Sequence, residues 1–139
     1  MRVVFDTNTV VSALLWGGIP RKAIELAAAE QIVILSSESL LNELARVLAR
    51  PKFQPKFAAI GRSPAEVMAE YTASVETVTP ADIPPGAVRD PKDQVLLGCA
   101  VGGKTNIIVS GDKDLLVLST YGDIRILSAD QFLQYLSSE

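Results

Sequence analysis

The sequence predicts an α/β fold, a three-layer αβα sandwich around a central, mostly parallel sheet of four to five strands, in a single domain over residues 1–139. Three observations carry this prediction. Four short runs, Val3 to Phe5, Gln31 to Leu35, Asn106 to Val109 and Asp123 to Leu127, are β-branched or aromatic and largely apolar, as strands buried on both faces are. The stretches between them are helical in composition, and strand alternating with helix is the pattern of a layered parallel sheet. With 48% hydrophobic residues and a mean hydropathy of +0.27, the chain can also bury one substantial core.

Taken in order, the first strand ends at Asp6, and an Ala-rich helix is expected over Pro20 to Glu30 before the second strand. From Ser37 to Arg50, Leu40, Leu41, Leu44, Val47 and Leu48 recur at amphipathic spacing, which predicts a helix with one apolar face. Two further helices are expected over Phe53 to Ile60 and Pro64 to Val75, parted by Gly61-Arg62-Ser63. Thr77 to Val78 supplies the fifth strand, and the prolines of Pro80 to Gly86 make a loop. Asp90-Pro91 then opens a helix, with Asp90 as N-cap and Pro91 in its first position. There is no internal repeat and no linker.

Composition removes several chemistries. With no histidine there is no Ser-His-Asp or Cys-His catalytic machinery, no imidazole base and no Cys₂His₂ zinc site. The single cysteine, Cys99, forms no internal disulfide and reads as a small buried hydrophobe compatible with a reducing cytosol. No apolar run approaches the roughly 18 residues of a membrane span, and Asp6 falls where a signal peptide is apolar, so a cytoplasmic protein without membrane association is expected. A net charge of -3 argues against a bulk positive field but leaves room for a local basic face.

Carboxylates are therefore the candidates for chemistry. Asp6 and Asp112 each follow an apolar strand, and the carboxyl ends of strands in open parallel sheets are where ligands bind; each also suits a helix N-cap. Glu43 lies about 40° from Val47 around its helix, at the border of the apolar stripe, where an acid is paired, coordinates a metal or snorkels outward. Asp93 shares a helix face with Leu97 and Ala100, or else bonds back to the Asp90 cap. If the four converge, each adjacent pair about 4 Å apart costs about 4 kcal/mol at an effective dielectric near 20, which a cation would relieve. With oxygen donors alone, that cation is a hard Mg²⁺ or Mn²⁺.

Val3-Val4-Phe5-Asp6-Thr7-Asn8, the Glu43 of Leu40-Leu41-Asn42-Glu43-Leu44, Asp90-Pro91-Lys92-Asp93 with the following Val95 to Ala100, and Ser110-Gly111-Asp112-Lys113-Asp114 together resemble the acidic motifs of PIN domains. Their order and spacing match over nearly the whole chain, and the likeness is to the bacterial and archaeal toxins of toxin-antitoxin pairs. The resemblance implies a Mg²⁺- or Mn²⁺-dependent ribonuclease on an αβα sandwich, often dimeric and often inhibited by a partner antitoxin. It makes Asp6, Glu43, Asp93 and Asp112 the catalytic and metal-binding acids for one or two ions, with Asn8 and Asp114 in support.

Beside these acids runs a basic segment. Arg46, Arg50, Lys52, Lys56 and Arg62 occur with no acidic residue between positions 46 and 62, and Arg46, Arg50 and Lys52 are the candidate contacts to an RNA backbone. A solvated face or a docking surface for an acidic partner would look the same. Phe53 and Phe57 either stack on bases or pack into the core. Gly98 to Thr105 fits the phosphate-loop expression, but a helix precedes it and a strand follows, the reverse of what that loop needs; Gly102-Gly103 is expected to end the helix with a left-handed cap. Two rival functions remain at this level. One is a PIN-like module that holds RNA or protein without cutting, the other a haloacid-dehalogenase-like phosphatase, which wants an Asp where Asn8 stands.

Overall fold

The structure is a computed structural model of the chain and describes residues 1–29 and 32–138. Strand β1 (Arg2–Phe5) is followed by helices α1 (Thr7–Leu15) and α2 (Gly18–Ala29), then β2 (Val33–Ser36) and α3 (Glu38–Leu48). A 3₁₀ turn at Pro51–Phe53 leads into α4 (Gln54–Ile60), α5 (Pro64–Ser74) and β3 (Glu76–Thr77). After a long loop come α6 (Pro91–Gly102), β4 (Ile107–Val109), α7 (Lys113–Leu118), β5 (Thr120–Tyr121), β6 (Ile124–Leu127) and α8 (Ala129–Ser137). The strand expected from Gln31 and the helix expected to Glu30 each reach a residue outside the described ones. Caps explain several boundaries: Ser37 accepts the Leu40 N–H, Ser63 and Glu66 form a reciprocal capping box, and Asp90 with Pro91 starts α6 as expected.

The sheet runs in the order β3-β2-β1-β4-β6-β5 and is parallel except for the β5-β6 pair. Six strands exceed the expected four to five because β5 is a two-residue antiparallel edge, too short to show a period in sequence. From β1 the chain builds outward through β2 and β3, then returns to lay β4 on the opposite side of β1. That reversal, with Phe5 beside Val109, is the switch point where a crevice opens beyond the strand ends.

Alternating side chains divide the core into two layers. Val3, Phe5, Ile107 and Val109 pack under α1, α2, α3, α5 and α8, with Phe132 edge-on to Phe5 at 5.9 Å. On the other face Val4, Leu35, Ile108 and Ile126 pack against α6 and α7, and Cys99 lies buried among them. Helix α3 serves both layers, contributing Leu44 and Leu48 to the first and Leu40 to the second, so its flank comes to the sheet's end.

The glycines of the phosphate-loop-like string have a packing role. Residues 79–81 cross α6 so closely that the Ala81 N–H donates to the Gly98 carbonyl at 2.9 Å, and a Cβ on Gly102 would meet the Thr79 carbonyl oxygen at 2.1 Å. The helix does not end in a left-handed glycine: Gly103 caps it at φ -85°, pressed against Leu35, and the positive φ falls on Lys104. Replacing Gly102 by Ala is expected to cost about 1–3 kcal/mol of unfolding free energy, read by denaturant titration, because the backbone must part to admit the methyl group. Gly111→Ala, whose Cβ meets nothing within 4 Å, is expected to change little.

Candidate functional site

Asp6 leaves β1 at the switch point and turns the chain into α1. One carboxylate oxygen, Oδ1, accepts the Thr9 N–H at 2.8 Å as the helix N-cap; the other, Oδ2, accepts the Ser110 hydroxyl at 2.5 Å and the Gly111 N–H at 3.3 Å. Capping and a place in the crevice are thus not alternatives here, since one carboxylate does both. Three donors leave about one of its four lone-pair directions open. Ser110 is fully buried at the end of β4, and its Oγ also accepts the Asp112 N–H at 3.0 Å, which links Asp6 to the next acid. Asp112 caps α7 through the Asp114 N–H at 2.8 Å and is half-buried.

The two helix-borne acids approach from the other sides. Glu43 is half-buried on α3, and Asp93 is 7% exposed in the first turn of α6. Asp93 does not bond back to its cap: Asp90 takes the Lys92 N–H at 2.9 Å instead, and no hydrogen bond to the Asp93 or Glu43 carboxyl is found among the described residues. Burial is the main reason that Asp93 is pushed up to about 6, with the negative charges of Asp112, Asp90, Asp114 and Asp6 adding to it in that order.

Asp6, Glu43, Asp93 and Asp112 line one cavity over a floor of Leu40, Val47 and Leu96. Asn8 sits exposed on its lining, whereas Asp114 lies outside it, 3.6 Å from the Arg89 guanidinium. Among the described residues no group of three acids is arranged closely enough to hold one metal ion. The four surround a shared space without closing on a point in it.

The basic segment divides. Arg50 lines the acidic cavity, and Arg46 lies in the neighbouring depression with Glu43 and Lys92. Lys52 stands over the Phe53 ring at 5.1 Å, Arg62 is ion-paired with Glu70, and Phe57 is buried in the core. Ser110, Asp90 and Lys92 were not singled out as site residues. Ser110 stands at a strand end in the same motif as Asp112, but its bond to a residue 104 positions away has no local signature. Asp90 and Lys92 were legible only as the cap and first turn of α6.

Several known proteins are similar. The PIN-domain profile matches residues 2–114. The uncharacterized protein MJ1680 of Methanocaldococcus jannaschii is 32% identical over 119 residues, which cover 85% of this chain and 75% of that protein. A chain in the crystal structure of VapBC2 from Rickettsia felis, bound to a DNA fragment from their promoter, has the same fold with a TM-score of 0.64 at 14% identity, covering 92% of this chain and 98% of that one. Among the described residues no helix is long and apolar enough to cross a membrane. On the match over residues 2–114, the chain belongs to the PIN-domain family, whose members are generally nucleases and typically use divalent metals.

Proposed function

We propose that the chain is a Mg²⁺- or Mn²⁺-dependent endoribonuclease that hydrolyses RNA phosphodiester bonds at the acidic cavity, and the cytoplasmic toxin of a toxin-antitoxin pair. The observation that carries this reading is that four carboxyl groups from four separate elements line one cavity at the sheet's switch point. Its candidate donors are all oxygens, which fits one or two hard divalent ions, and a cation would relieve both the burial of the Asp93 carboxyl and the lesser repulsion from its acidic neighbours. When bound, such an ion supplies an activated water and neutralises phosphodiester charge during in-line displacement.

The chain's own residues divide the remaining work. Asp6, pinned by Thr9, Ser110 and Gly111, is the fixed ligand; Ser110 ties Asp112 to it. Glu43 and Asp93, free of hydrogen bonds to the described residues, would be the further residues to hold the ion, with Asn8 on the cavity lining and Asp114 outside it, beside Arg89, in support. Arg50 meets the phosphate at the cavity, Arg46 extends the contact from the neighbouring depression, and Lys52 does so from its place over the Phe53 ring. The likeness to a chain of the VapBC2 complex supports an antitoxin partner, and a homodimer belongs to the same proposal. Family membership favours a nuclease over the phosphatase. The separation of the acids favours a second reading, a PIN-like module that holds RNA or protein without cutting.

Thermal melts separate the two. Mn²⁺ at about 100 times its Kd is expected to stabilise the protein by about 2.7 kcal/mol relative to EDTA. Absence of any shift at millimolar metal would leave the binding module. Asp6→Asn is expected to keep the fold and abolish metal-dependent cleavage of single-stranded RNA on a gel; undiminished cleavage by this variant would refute the assignment.

Asp93 adds a pH signature. Its carboxyl titrates higher in the folded chain than unfolded, so its protonated form favours folding: the stabilisation is complete below about pH 4 and is lost as pH rises through about 6. Unfolding of the metal-free protein followed across that range is expected to show this decline, and Asp93→Asn to flatten it, gaining on the order of 1 kcal/mol near pH 7.

A further inference from the structure

Outside the acidic cavity, the sequence's one tryptophan is the most conspicuous exposed group. Trp16 caps the C-terminus of α1, and Gly17 and Gly18 follow it at φ +76° and +70°, a sharp turn that leaves the indole 58% exposed. Its ring packs edge-on against Phe53 at a centroid distance of 5.8 Å. Lys56 stands over the indole at 5.6 Å and Lys52 over the Phe53 ring at 5.1 Å.

Two features bear on what this patch can bind. Arg46, Arg50, Lys52 and Lys56 follow one another within eleven positions without an intervening acid and make no ion pair among the described residues. Their charge is left for a polyanion. The patch is also continuous with the cavity through the chain itself: Arg50 lines the acidic site, and the 3₁₀ turn Pro51–Phe53 runs directly from it to the aromatic pair.

We propose that Trp16, supported by Phe53 and flanked by Lys52 and Lys56, is a base-stacking platform that holds an unpaired nucleotide of a single strand whose backbone runs from the acidic cavity past Arg50. The proposal rests on the nuclease reading of that cavity. With Lys56 over one face of the indole, the other face stacks on any base, and the ammonium groups of Lys52 and Lys56 meet the phosphates on either side, so the contact tolerates sequence but not pairing. A base inside a duplex has no free face to offer. The platform therefore selects single-stranded over double-stranded substrate.

Because Trp16 is the only indole, its emission reports the contact directly. The full chain is titrated in EDTA and low salt, so that binding is read without cleavage. Short single-stranded oligouridylate and oligoadenylate are expected to quench the tryptophan; the matching duplex and inorganic polyphosphate are not. By fluorescence anisotropy of a labelled oligonucleotide, Trp16→Ala is expected to lose about tenfold in affinity and Trp16→Phe to keep most of it. Saturable binding with unchanged emission, no binding at all, or Trp16→Ala binding like the parent would overturn the platform. So would a Trp16→Ala chain that changes its mass by light scattering while its oligonucleotide affinity stays the same, since the patch would then join two copies or a protein partner. Metal-dependent cleavage without quenching would remove the platform and leave the nuclease, and quenching without cleavage would do the reverse.

Discussion

A buried hydrogen bond from the Ser110 hydroxyl to Asp6 Oδ2 joins the ends of the two strands at which the sheet reverses its order. Everything at the cavity is placed relative to it. On one side it orients Asp6, whose other oxygen caps α1; on the other, the same serine oxygen receives the Asp112 backbone and sets the start of α7. A bond to a charged acceptor in a dry setting is worth about 1.5–3 kcal/mol, and leaving Asp6 without it would strand a buried charge. The link thus makes the strand ends stable and fixes where a ligand must sit.

The opposing constraint is repulsion. Folding gathers Asp6, Asp93 and Asp112 around a common space, and at Asp93 burial first, and the neighbouring negative charges after it, push the carboxyl up to about 6. A purely structural cluster would be expected to dissipate such strain with neighbouring donors. Asp6 and Asp112 have theirs, but Asp93 and Glu43 have none among the described residues. The basic side chains do not neutralise them either: Arg50 shares the cavity but forms no ion pair among the described residues. Under the proposed function a divalent cation would supply the missing positive charge to Glu43 and Asp93.

The gathering of the four acids at one cavity is largely legible in the sequence, and for identifiable reasons. Asp6 and Asp112 end short runs that are apolar throughout, so the parallel-sheet reading and the rule that ligands bind at strand carboxyl ends place them together. Helical angle puts Glu43 beside Val47 and Asp93 on the face of Leu97 and Ala100, and the resemblance to PIN domains is what singles both out as site acids. Local patterns did not reach further than that. The Asp6-Ser110 bond joins residues far apart in sequence, the closeness of residues 79–81 to Gly98 and Gly102 depends on how a loop crosses a helix, and β5 is shorter than any periodicity. Arg50 and Lys52 looked alike in the chain; only the 3₁₀ turn between them sends one into the cavity and the other to the aromatic patch.

The central claim is that the four acids close on a divalent ion, and diffraction from crystals grown with Mn²⁺, measured at the manganese absorption edge, tests it most directly. The proposed function predicts an anomalous peak inside the cavity, ligated by carboxylate oxygens from among Asp6, Glu43, Asp93 and Asp112. A cavity without a peak at saturating Mn²⁺, its carboxyl groups still apart, would contradict it.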